Sequence, residues 1–202
     1  MIKDLFKDER LKKLMPDLVS AVKKIGEEYF TLNLADYENE NAFKYRERVY
    51  CYEFYHRLRE SLNSDYPYVI SGEVDKRGHP IIKSNKNPDF IIHSPGDMKD
   101  NFIIMEVKTL ENFSKTKGKK DIETFMIFFE ECNYDFGIYL IYGKKEDENK
   151  FNKNREKLNK QIKIKLSREN LKNKKVIILW HNDFGEKVEV DIISSQKIRK
   201  IE

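Results

Sequence analysis

Cysteine is scarce: Cys51 and Cys132 are the only two in 202 residues, far apart and each inside an apolar helical pattern. No CxxC pair or Cys/His cluster exists, which excludes a disulfide framework and a zinc module and fits a reduced interior. Long apolar runs are missing too. None approaches bilayer length, and the opening M-I-K-D-L-F-K-D-E-R has no apolar signal region. The expectation is a soluble, cytoplasmic protein with no membrane partner. No P-loop glycine–lysine motif appears, which argues against nucleotide hydrolysis, and no internal repeat or helix-turn-helix is visible. A large net charge is also lacking: 37% of residues are charged, yet they balance to +4. That permits nucleic-acid binding through a local patch without demanding it.

What is present reads as one core with a modest appendage, a size that can bury a real interior. Residues 1–40 form the appendage. Leu5, Phe6, Leu14, Leu18, Val22 and Ile25 recur at helical spacing, and Pro16 is expected to divide them into two helices. Asn33 to Asn41 is polar and reads as a loop ending in an N-cap candidate, Asn41. The main domain, residues 41–202, opens with a helix over Ala42–Leu62 whose buried stripe is Val49, Tyr52, Tyr55, Leu58 and Leu62. Tyr68–Asp75 reads as a first strand, broken by Lys76–Pro80, with Ile81 and Ile82 as a short return. Two further strands, Phe90–His93 and Phe102–Lys108, are joined by a Pro/Gly/Asp-rich connection. A lysine-rich loop, Phe113–Lys120, leads into a helix near Asp121–Asn133 with Ile122, Phe125, Met126, Phe129 and Cys132 on one face. Phe136–Tyr142 is continuously apolar, as a strand covered on both faces must be, and suits a parallel position reached by a crossover. A thin amphipathic helix (Phe151, Leu158, Ile162, Leu166) follows. A hairpin of Lys175–Trp180 and Val188–Ile193 turns at Asn182–Gly185 and leads to a basic tail. The fold class is α/β with a mixed sheet, in the order helix, three strands, helix, strand, plus a C-terminal helix and hairpin.

Within this pattern Asp89 opens one strand while Glu106 and Lys108 close the next. Alternation puts Glu106 and Lys108 on one face and Val107 on the other. If the two strands pair, two carboxylates and an ammonium converge at the edge of an apolar hairpin, a setting for a hard divalent cation. Acid-x-lysine also occurs at Asp97–Lys99 and Glu148–Lys150, but only Glu106-Val107-Lys108 ends a strand and follows a Pro-Asp that opens the preceding one. Pro88-Asp89 followed, after sixteen residues, by Glu106-Val107-Lys108 resembles the PD-(D/E)xK signature of the restriction-endonuclease-like nucleases. The resemblance spans roughly Asn41 to Gly143. It implies a restriction-endonuclease-like three-layer core and a metal-dependent endonuclease that hydrolyses phosphodiester bonds, with DNA as partner. In that family reading Asp89, Glu106 and the Val107 carbonyl hold Mg²⁺, with Mn²⁺ as a substitute. Lys108 positions the attacking water or steadies the charged phosphorane, a task for a compact charge rather than a planar fork. A double-strand cutter of this size calls for two sites, hence a homodimer.

Glu53, a helix glutamate in an apolar setting, is a further catalytic candidate through the same resemblance; the plain alternative pairs it with Arg57 at i+4. Glu73 and Asp75 alternate onto one strand face and rank below it. His93 shares a strand face with Asp89, although a lone histidine after an apolar strand more often serves structure; His56, His79 and His181 lack ligand spacing. Lys115, Lys117, Lys119 and Lys120 follow the Lys108 strand and suit backbone phosphates. Two other functions compete: a nucleic-acid-binding module that keeps the fold without catalysis, and a protein-interaction domain docking through its N-terminal helices.

Overall fold

The computed structural model describes residues 6–33, 43–62, 66–72, 86–95 and 100–201. Asp8 caps the first helix, α1 (Glu9–Lys23), by accepting hydrogen bonds from the amides of Arg10 and Leu11. The helix runs straight through Pro16 instead of dividing there. Leu14 and Met15 on one side and Leu18, Ala21 and Val22 on the other are fully buried, and their packing outweighs a proline penalty of about 3 kcal/mol. A short helix, α2 (Glu27–Phe30), and a two-stranded ribbon, β1 (Leu32–Asn33) with β2 (Phe43–Lys44), lead to α3 (Glu47–Ser61). This helix starts five residues later than its periodicity predicts, because Phe43 and Lys44 are taken up in the ribbon. Its buried face is Tyr50, Glu53, Phe54 and Leu58. The expected stripe is thus rotated, and Tyr52 is 64% exposed.

The sheet follows: β3 (Val69–Gly72), β4 (Phe90–His93) and β5 (Asn101–Thr109), then helices α4 (Leu110–Thr116) and α5 (Lys119–Glu131), then β6 (Phe136–Tyr142). After α6 (Glu148–Leu166) come β7 (Lys175–His181), β8 (Glu189–Ile193) and β9 (Ile198–Ile201). The seven strands lie in chain order. The β5–β6 and β6–β7 pairs are parallel, the flanking ones antiparallel. Phe113–Lys120, expected as a loop, is helical except at Lys117 and Gly118. Thr109 caps α4 by accepting from the Asn112 amide, and the left-handed Lys117–Gly118 pair makes the turn into α5. The expected basic tail forms β9, paired antiparallel with β8, with Ile198 and Ile201 packed against opposite faces of the sheet. Glu73, Asp75, the break at 76–80, Ile81, Ile82, Asn41 and the Asp97–Lys99 triplet lie outside the described residues.

Two apolar clusters cover the two faces of the sheet. Residues of α1, α2 and α3 pack with Ile92, Ile103, Met105, Val107 and Leu140. Residues of α4, α5 and α6 pack with Ile91, Ile104, Tyr139, Ile141 and Ile178. The result is a three-layer α/β/α core. The helices of residues 1–40 belong to the same cluster as α3. Among the described residues no helix is long and apolar enough to cross a membrane.

One polar knot locks α6 onto the sheet. Asp191 on β8 is fully buried. It accepts from Arg155 Nε (2.7 Å), Arg155 Nη2 (2.7 Å), Asn159 Nδ2 (2.9 Å) and Trp180 Nε1 (3.0 Å). Removing the guanidinium strands a buried carboxylate, so Arg155→Met should cost about 3–5 kcal/mol in urea unfolding. A loss below about 1 kcal/mol would mean the pair is not holding α6.

Candidate active site

The pairing of β4 with β5 sets Phe90 opposite Met105 and Ile91 opposite Ile104. One more step of that ladder puts Asp89 opposite Glu106. Asp89 lies on the face of Ile91, and Glu106 and Lys108 lie on the face of Ile104, both within the cluster under α4–α6. The Asp89 carboxylate is fixed across the strands by the Val107 amide, which donates to Oδ2 at 2.6 Å. Glu106 is 6% exposed. On its far side β6 brings Tyr139 into register with it. The Tyr139 hydroxyl donates to Asp121 Oδ2 at 2.5 Å. Asp121 stands in the first turn of α5. The Lys117–Gly118 turn aims that helix end at the strands, and only glycine serves there: φ is +62°, and a Cβ would lie 3.0 Å from the Tyr139 hydroxyl.

Lys108 is held from the opposite layer. Its Nζ donates to Glu47 Oε1 at 3.0 Å, while Glu47 Oε2 accepts the Thr109 amide at 3.2 Å. Glu47 is thus anchored in the first turn of α3. It borders a cleft of about 580 Å³ shared with Arg48, Cys51, Tyr52, Tyr55, Gly72, Asp89 and Phe90.

Charge is poorly compensated here. Burial pushes the Asp89 carboxyl up to about 6, against the opposing pull of the Val107 amide and Lys108. Burial, then the neighbouring Asp89 and Asp121 carboxylates, hold Glu106 well above the usual carboxylate range. For Lys108 burial works against the charge, but Asp121 and Glu47 prevail and raise its pKa. Two adjacent acids that cannot both ionise cheaply form a site that favours a shared proton or a cation.

The structure brings together Asp89, Glu106 and Lys108, with Val107 between them; it does not bring in Glu53. Six residues beyond Glu47, Glu53 is about 9 Å further along α3 and about 120° around it. It pairs with Arg57 at 2.6 Å, the i+4 alternative. The glutamate of this helix that reaches the motif is Glu47. It escaped notice because the helix was expected to begin earlier, which hid its place in the first turn. Asp121 and Tyr139 are the other partners sequence reasoning missed. A first-turn acid beside the buried Ile122 was a signal for Asp121, but nothing local marked Tyr139. His93 stands four residues along β4 from Asp89, about 13 Å away, near Ser71 Oγ at 3.4 Å. Among the lysines, Lys115 pairs with Glu111 at 2.5 Å. Lys117 Nζ reaches the Ser114 carbonyl and Asn154 Oδ1, and Lys119 and Lys120 are exposed at the start of α5. Among the described residues no group of three or more His, Cys, Asp or Glu side chains is gathered as a metal cage. Magnesium needs none, taking one or two carboxylates and keeping waters. Comparison with protein-family models and with curated proteins gives no match.

An acid whose folded pKa exceeds its unfolded value binds its proton more tightly when folded. It therefore favours folding most below the unfolded value and less as pH rises through the folded one. For Asp89 that window runs from 3.8 to about 6, and Glu106 extends it upward. In chelator, Glu106→Gln should therefore raise Tm at pH 7.5, at about 2–4 °C per kcal/mol relieved, and have little effect at pH 4. Equal shifts at both pH values would show that Glu106 carries no such strain.

Proposed function

We propose that this chain is a magnesium-dependent nuclease of the restriction-endonuclease-like type, hydrolysing phosphodiester bonds of nucleic acid, with DNA as the expected substrate. The observation that carries this reading is the half-buried Asp89 facing the buried Glu106 across one ladder, with the Lys108 ammonium next along the same face. The donor set fits the cation. Carboxylate oxygens are hard ligands, and the raised pKa values of both acids mark charge that the protein alone leaves uncompensated.

Asp89 and Glu106 would hold Mg²⁺, or Mn²⁺ in its place, with the Val107 carbonyl as a further ligand. Bound there, the cation supplies Lewis acidity toward a phosphoryl oxygen and lowers the pKa of a coordinated water. The Val107 amide keeps the Asp89 carboxylate turned toward Glu106. Lys108 Nζ, with three donors and one engaged by Glu47, can donate to a non-bridging phosphate oxygen or to the attacking water. Glu47 sets the direction of that ammonium, and its backbone bond to Thr109 keeps it from following the substrate. Charge developing on the phosphate thus meets groups already in place, the largest source of rate in such chemistry. Two copies acting on opposite strands would make a double-strand cut.

Purified protein should cut nucleic acid with Mg²⁺ or Mn²⁺ and stop in EDTA. Lys108→Ala and Asp89→Asn should each lower kcat by about 10²–10³. Glu47→Gln should fall measurably, while Glu53→Gln stays close to wild type. Failure to cleave any single- or double-stranded DNA or RNA, or full activity in Lys108→Ala, would sink the reading; salt-sensitive binding without cleavage would leave a binding module on the same fold.

A further inference from the structure

The cleft beside Asp89 has an aromatic side that the proposed chemistry does not use. On α3, Glu47, Cys51 and Tyr55 follow one another at i, i+4 and i+8, and Arg48 and Tyr52 form the next row. These five side chains form one wall, and Gly72, Asp89 and Phe90 form the floor. Tyr55 and Phe90 lie parallel, 9° between planes and 6.2 Å between centroids. Tyr52, at 64% exposed, projects from the same wall. One end of the cleft therefore holds the carboxylates Glu47 and Asp89, and the rest offers ring faces and a guanidinium.

We propose that this cleft takes an unpaired nucleobase of the strand being cut, stacked on Tyr52 and Tyr55, so that the substrate is single-stranded or locally opened nucleic acid. The inference rests on the nuclease reading of Asp89, Glu106 and Lys108. Tyr52 stands five residues from Glu47, about 7.5 Å along the helix. A base inside a duplex has both faces covered by its neighbours, whereas an unpaired base presents a face to an aromatic ring and its phosphate to adjacent cationic groups. Among the described residues the lining beside the tyrosines is Cys51, Gly72 and Phe90, which suits a sequence-tolerant platform rather than a base-specific pocket. Arg48 sits in the Tyr52 row, where a guanidinium can stack or contact a backbone phosphate.

The test is equilibrium binding in Ca²⁺ of a 2-aminopurine-labelled oligonucleotide, as single-stranded DNA, single-stranded RNA and blunt duplex DNA, to wild type, Tyr52→Ala, Tyr52→Phe and Asp89→Asn. Expected is tighter binding of at least one single strand than of the duplex, with the 2-aminopurine emission quenched by stacking. Tyr52→Ala should weaken that binding about tenfold and lose the quench. Tyr52→Phe should keep both, and Asp89→Asn should keep the quench. Tyr52 is exposed, so its loss does not threaten folding. Equal binding by wild type and Tyr52→Ala, or preference for the duplex, would overturn the proposal even if the protein cuts with Mg²⁺. A Tyr52-dependent quench in a protein that never cuts would leave the platform standing and remove the nuclease reading instead.

Discussion

Two carboxylates that face each other across one β-ladder, with few donors between them among the described residues, set the terms for this end of the molecule. The sheet holds Asp89 and Glu106 on strands covered by helices on both faces, where charge is costly. The same chain shows what a fully compensated buried acid looks like. Asp191 receives four hydrogen bonds, two from a guanidinium. Among the described residues Asp89 accepts from the Val107 amide, and Glu106 faces the Asp89 and Asp121 carboxylates, which raise its pKa. The Asp191 knot is complete without a ligand and needs no function beyond holding α6. The Asp89–Glu106 pair has no such set of donors among the described residues, and this is the compensation that the proposed cation would supply.

The neighbours make sense as supports for that pair. Lys108 could have neutralised one of the acids, but Glu47 turns it aside at 3.0 Å. Tyr139 holds Asp121 beside the pair, adding negative potential that would favour the proposed cation. Helices from both layers therefore converge on one strand: α3 sends Glu47 from one side, and α5 sends Asp121 from the other. The cleft along α3 continues outward from this point, so the residues that anchor the motif also border the aromatic wall.

The strands that carry the motif were legible because their signal is local. Phe90–His93, Phe102–Lys108 and Phe136–Tyr142 are short apolar runs with clear ends, and pairing follows from chain order. Once two such strands pair antiparallel, Asp89 and Glu106 come to the same end of the ladder, and the register seen in the structure sets them opposite each other. What the sequence concealed depends on tertiary contacts. Pro16 reads as a break, yet burial on both sides carries α1 through it. Phe113–Lys120 reads as a charged loop, because the capping Thr109 and the left-handed Lys117–Gly118 pair are weak signals beside four lysines. Glu53 looked buried and is, but burial does not say which side of a helix faces a site. Only the actual start of α3 and its angle to β5 single out Glu47.

Calorimetric titration of Mn²⁺ into metal-free protein shows whether Asp89 and Glu106 form a cation site. The protein should take up the ion with heats that differ between buffers of different ionisation enthalpy, because protons held by the two raised acids leave as the ion enters. Asp89→Asn combined with Glu106→Gln should show neither the uptake nor the buffer dependence. Undiminished Mn²⁺ binding in that double variant, or no binding by the wild type, would mean that this pair holds no cation.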